Sequence, residues 1–327
     1  MIQVFRSPNP FNILWLIALL FLTRIGGLVH FPAHTDASFT GLFSRLLISV
    51  PNENPTASGQ VFWSAIVVLL QALWFNYIIN NNNLLGKPSF LPALMYITVT
   101  ALFTSFLTLS APLACNFLLI WMLQKVLDLY KTEDATSTAY DLGLIVGIGT
   151  LIYFPFIALF LAIWTGLLIF RPFNWHEWIS AIMGVLTIFF FLSVYYYCSN
   201  HNAAFQAFWL SFDADFPQVN FKLPYRFLVL VPLVLIFILG LFRLQSNFLK
   251  SMVVVRKTFQ TLLFILLIIV LACCIKTDFS FNHFLLLAMP VAVFTAYYFL
   301  YASKKWIYES LYLILLAGIL YFQFNNF

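Results

Sequence analysis

The chain has 327 residues; 63% are hydrophobic, only 8% are charged, and 39 are phenylalanine. Its 16 Lys and Arg and 11 Asp and Glu leave a net charge of +5, far too little polar surface to clothe a soluble core of this size. No basic run interleaves with exposed aromatics, which excludes nucleic acid as a partner. The four cysteines form no C-x-x-C pair, so neither a disulfide framework nor a zinc site is indicated.

Hydrophobic runs near 20 residues recur from end to end, each long enough to cross the roughly 30 Å hydrocarbon layer. The chain therefore reads as an all-α, polytopic transmembrane bundle forming one integral membrane domain, 1–327. A transmembrane barrel would need alternating segments of about 10 residues, which are absent. The first run, 11–29, has only Arg6 before it, and the FPAHTDA that follows is a poor cleavage site. It is expected to be a retained span and not a removed leader.

Next comes the first long polar interruption, 30–60, with His30, His34, Asp36, Arg45 and Glu53. Within it, 38–50 places Phe39, Leu42, Phe43, Leu46 and Leu47 on one helical face, the pattern of a helix lying in the membrane interface. Further spans are predicted at 61–80, 90–110, 112–130, 139–154, 156–170, 179–197, 225–242, 258–275, 283–301 and 307–324, making about eleven in all. The stretch 139–170 reads either as one helix kinked at Pro155 or as two short helices. Charge favours two, because Lys131 and Arg171 then fall on one side.

With the N-terminus inside, the inner face receives Arg6, Lys87, Lys125, Lys131, Arg171, Arg243, Lys250, Arg256, Lys257, Lys304 and Lys305. The outer face receives Arg45, Lys222, Arg226 and Lys276. This bias predicts an inner N-terminus, an outer C-terminus and an external loop 30–60. The basic stretch 243–257 is expected to lie along the anionic inner surface.

Several residues carry candidate chemistry. Asp36 could serve as a general base or bind a cation, or it could cap the interfacial helix. Arg24, near the outer end of the first span, could meet a phosphate together with His34 and Arg45, or it could snorkel to the headgroups. Asp213 and Asp215, in a second external loop at 198–224, have the spacing of carboxylates that hold a divalent metal. Lys125 and Asp128 are expected to pair at i, i+3. Thr138 and Asp141 have capping-box spacing. Gln71, Asn76 and Asn116 are expected to hydrogen-bond between helices. The five histidines lie at or beyond span ends, which argues against haem.

The segment AYDLGLIVGIGTLIYFPFIALFLAIWTGLLIFRPFNWHEWISAIMG, 139–184, resembles an uncharacterised family of bacterial integral membrane proteins. Together with the external loop and its interfacial helix, it is also similar to the membrane half of the C-type, multi-spanning glycosyltransferases. That resemblance implies a sugar taken at the outer face from a polyprenyl-phosphate donor, with Asp36 at the position of the acidic base. It also implies a bacterial cytoplasmic (inner) membrane setting with lipids as neighbours, and leaves room for a divalent metal. The superfamily commonly carries an acidic pair in this loop, whereas here the acid is single. The competing reading is a non-catalytic subunit or scaffold with a protein partner in a larger membrane complex. A transporter would need charge at mid-depth, which the spans nearly lack.

Overall fold

The structure, a computed structural model, describes residues 1–29, 57–132, 134–198, 224–248, 251–273 and 281–324. Among them every regular element is helical. In chain order they are α1 (Ile2–Phe5), α2 (Asn12–Leu22), α3 (Ile25–Val29), α4 (Ala57–Asn81), α5 (Leu91–Thr100), α6 (Ala111–Asp128) and α7 (Thr136–Ile152). There follow α8 (Phe160–Phe170), α9 (Trp175–Cys198), α10 (Leu230–Asn247), α11 (Val253–Ala272), α12 (Ala288–Tyr301) and α13 (Lys305–Phe324). Short 3-10 segments at Thr104–Leu107, Phe154–Leu159, Pro224–Val229 and Phe281–Leu287 lead into or join them.

Among the described residues, seven helices are long and apolar enough to cross a membrane by length and composition. The first predicted span and those at 90–110, 139–154 and 156–170 fall among shorter apolar helices. The run 90–110 is not one continuous helix. Its helix α5 ends at Thr100, about 15 Å after it begins, half the hydrocarbon thickness. Thr98 and Thr100 donate back to the carbonyls of Leu94 and Ile97 at 2.8 and 3.0 Å. Such local bonds compete with the helix ladder. Ser110 is then extended, and Pro112 sits in the first turn of α6, where its missing N–H costs nothing.

The stretch 139–170 is two helices. Tyr153 is extended at the corner, and Pro155 opens the 3-10 turn that leads into α8. Arg171, at the end of α8, donates to the carbonyls of Leu129 and Thr132, just before α7 begins. Both outer ends of the pair therefore lie together, and the Pro corner is a hairpin tip. Arg171 also pairs with buried Glu177 at 3.0 Å, so the RPFNWHEW segment is a clamp from α8 to α9.

Two local expectations fail. Lys125 pairs with Asp141 at 2.7 Å and not with Asp128, which lies 3.8 Å from Lys131. Helix α7 starts at Thr136, so Thr138 is already inside it and no capping box forms. Asp134 instead accepts from the Thr136 N–H at 3.0 Å, which holds its carboxyl below the usual range. Within 243–257, α10 continues to Asn247 and α11 begins at Val253.

The centre of the bundle is α5 and α12. Every residue of α5 is buried, and α12 packs against α5, α6, α10 and α11. Helices α7 and α9 approach most closely, at Gly143 and Gly184, where any Cβ would meet opposing backbone within 2.3 Å. Arg24 apart, the described charges collect at one end. Arg6 donates to the carbonyls of Phe299 and Ala302, the N-terminal ammonium meets Glu309 at 2.9 Å, and Lys131 reaches Asn82 at 2.9 Å. This end is called the charged face below.

Candidate functional site around Arg24

The first predicted span breaks at Thr23 and Arg24, between α2 and α3. Thr23 donates to the Leu20 carbonyl at 3.1 Å, and the Gly26–Gly27 pair that follows has low helix propensity. The break sets Arg24 facing the second irregular stretch, 101–110. The guanidinium is only 1% exposed. Its Nη1 donates to Ser64 Oγ of α4 and to the Leu107 carbonyl at 3.3 Å. The single Ser64 hydroxyl proton is shared between the same carbonyl and that of Val61, the latter at 2.9 Å. Nη2 is buried and has no hydrogen-bond partner among the described residues.

A third terminus closes the site. Gln323, 2% exposed near the end of α13, donates from Nε2 to the Thr23 carbonyl at 2.7 Å and to the Ala101 carbonyl at 3.1 Å. Its Oε1 is buried without a partner among the described residues. Two breaks in the helices would strand carbonyls in a region without water, and Arg24, Ser64 and Gln323 satisfy them. From Glu309 to Gln323 is about 21 Å along α13, so the Arg24 site lies at the end opposite the charged face.

Below it runs a neutral polar layer. Tyr96 donates to Gln71 Oε1 at 2.9 Å, Gln71 Nε2 to the Leu113 carbonyl at 2.7 Å, and Asn116 Nδ2 to the Leu285 carbonyl at 3.1 Å. Gln71 and Asn116 thus bridge helices as expected. Asn76 Oδ1 is buried with no partner among the described residues. His283 is buried between Tyr153 and the Ile269 carbonyl, each at 2.8 Å.

Arg24 is therefore neither snorkelling nor exposed. It is a fixed internal cation, and no carboxylate pairs with it among the described residues. Asp36, His34 and Arg45 lie outside the described residues, as do the 38–50 helix, Asp213 and Asp215. Among the described residues no three His, Cys, Asp or Glu converge as a metal site.

A family model described as a family of unknown function, DUF6427, matches residues 38–327. The chain belongs to this family. No curated protein and no solved structure matches it. The resemblance to an uncharacterised family thus holds, and the DUF6427 match carries no statement about sugar transfer. It covers Ser64, Gln323, Arg45, Asp213 and Asp215, while Arg24, His34 and Asp36 precede it.

Sequence reasoning reached Arg24 from its charge within a span. It missed Ser64 and Gln323. Gln323 was detectable as the lone polar side chain in AGILYFQF, the closing stretch of an otherwise apolar run.

Proposed function

We propose that this protein is an outward-facing membrane transferase that takes a sugar from a polyprenyl-phosphate donor. In this reading an acceptor hydroxyl attacks the anomeric carbon and Asp36 takes its proton. The bond from that carbon to the carrier phosphate breaks, and the phosphate leaves with the electron pair. Arg24, assisted by His34 and Arg45, meets the charge left on the phosphate. A guanidinium suits this task because it stays protonated and presents several donors in a fixed fork.

The observation that carries the reading is the unpartnered Nη2 of a buried arginine. Among the described residues no anion meets this cation; a buried cation left so costs several kcal/mol, on the order of the effective penalty for one ion, so its retention favours an anionic ligand. Arg24 also stands only a few residues before the stretch that carries His34 and Asp36.

A second reading is a non-catalytic subunit of a membrane complex. It is favoured by the continuous apolar interior and by the spending of Nη1 on Ser64 and Leu107 as a brace. Deletion of the gene, followed by complementation, separates the two. Under the transferase reading Asp36→Ala accumulates the lipid-linked sugar and fails to restore surface glycans. Full restoration by Asp36→Ala would refute the mechanism. Co-purification of a fixed partner, lost with no change in glycans, would favour the subunit.

A further inference from the structure

At the charged face a cavity of about 360 Å³ opens between the link after α4, the α10–α11 link and the end of α12. This volume is in the range of small-ligand pockets. It lies at the opposite end from Arg24 and does not depend on the transferase reading.

One side of the cavity is polar. Asn83, Asn247, Ser251, Tyr297 and Tyr301 line it. Ser251 donates to the Asn247 carbonyl at 3.0 Å, and Tyr297 lines the cavity beside them. Tyr301 donates to the Leu85 carbonyl at 2.9 Å and so pins the link after α4. That link turns through Gly86 at φ +77°, where a Cβ would come within 2.8 Å of the Tyr301 oxygen. The other side is apolar, with Leu84, Leu85 and Val255, and it ends at the rim on Met252, which is 75% exposed.

Among the described residues the lining contains no carboxylate. Cations stand on the chain segments beside it, outside the lining itself. Lys87 follows Gly86 in the chain, Arg6 is bound to the carbonyls on either side of Tyr301, and Arg243 acts on neighbouring Tyr298. The nearby acids are engaged, Asp128 by Lys131 and Glu309 by the N-terminal ammonium. Ser251, Met252 and Val255 also bring the first turn of the 20-residue α11 to the cavity, and no side chain caps that turn. Its free N–H groups add positive potential.

We propose that this cavity binds the phosphate-bearing head group of an anionic phospholipid. Hydroxyls and amides take the glycerol and phosphate oxygens, the cations beside it supply the counter-charge, and the acyl chains leave over Met252. A polar floor with an apolar rim at the charged end of a membrane bundle fits a lipid and not a free solute.

The test uses the full-length protein in detergent and native mass spectrometry. Phosphatidylglycerol and phosphatidylcholine are added at equal concentration, and inorganic phosphate competes in a separate arm. The expected result is about a tenfold preference for phosphatidylglycerol, equivalent to about 1.4 kcal/mol, that excess inorganic phosphate does not displace. Ser251→Trp fills the cavity and should erase the preference while the protein still melts at the wild-type midpoint. Should Ser251→Trp fail to fold, Tyr297→Phe decides, with a drop of about threefold expected from loss of one hydroxyl contact. Equal retention of the two lipids overturns the proposal, and so does an unchanged preference in the variant that folds. Displacement by inorganic phosphate reassigns the site to a soluble phosphate compound and also overturns it.

Discussion

Arg24→Met separates a cation kept for a ligand from a cation kept for the fold. Methionine keeps much of the length and removes the charge. The variant loses the charge-assisted bond to Ser64, worth about 1.5–3 kcal/mol, and the longer one to Leu107. The Leu107 carbonyl is not stranded, because Ser64 Oγ still donates to it. Against this loss stands relief from burying a guanidinium with an unpartnered Nη2, an effective penalty of several kcal/mol on the order of that for one ion. Replacing buried ions by apolar groups is commonly neutral or stabilising by about 1–4 kcal/mol. The expected outcome is a thermal unfolding midpoint in detergent equal to or above wild type, together with lost complementation. Arg24→Lys keeps a charge without the fork and should complement in part. A destabilisation of about 3 kcal/mol or more in Arg24→Met would refute the reasoning, because it would mean that a protein anion already matches the guanidinium.

Glu177→Ala should destabilise by about 2 kcal/mol, below the usual cost of opening a fully buried pair because the Arg171 side chain keeps some exposure and two carbonyl partners; detergent-unfolding midpoints measure it. Gln71→Leu removes the acceptor of the buried Tyr96 hydroxyl and a side-chain bond to the Leu113 carbonyl, costing about 1–3 kcal/mol, and adding Tyr96→Phe should recover part of that loss. Strict additivity of the two changes would contradict the hydrogen bond. Asp134 has a depressed carboxyl pKa, chiefly because it accepts from the Thr136 N–H. Its support of the first turn of α7 is complete above the ordinary carboxylate pKa and is lost as pH falls through the depressed value. Hydrogen exchange in that turn should show an acid-dependent loosening that Asp134→Asn abolishes; identical pH dependence in the two proteins would disprove it.

Much of the bundle was legible because apolar run length is a direct consequence of bilayer thickness. The long helices α4, α6, α9, α10, α11 and α13 fall within a few residues of the expected spans. The run 90–110 misled because Leu, Phe and Thr score as apolar whether or not the helix continues. The Thr98 and Thr100 back-bonds and the Ser110–Pro112 restart operate on backbone geometry, not on hydropathy. The ion pairs misled similarly. Lys125 stands three residues from Asp128, but the packing of α6 on α7 brings Asp141 closer. At the candidate site, Arg24 stood out because charge in a span is rare. Its partners did not, because Ser64 and Gln323 come from remote parts of the chain and meet it only where two helices break.

The sequence by itself determined that this is an all-α chain with membrane-length helices, a charge-poor interior and one arginine inside its first apolar run. Composition and run length suffice for that, since hydrocarbon rewards apolar length regardless of arrangement. Only the tertiary structure decided that 139–170 is a hairpin and that α5 stops halfway. It likewise decided that Arg24 turns inward to serve carbonyls freed by two broken helices. Those outcomes depend on which backbone groups lack a partner once the helices are assembled, and no local pattern of residues records that.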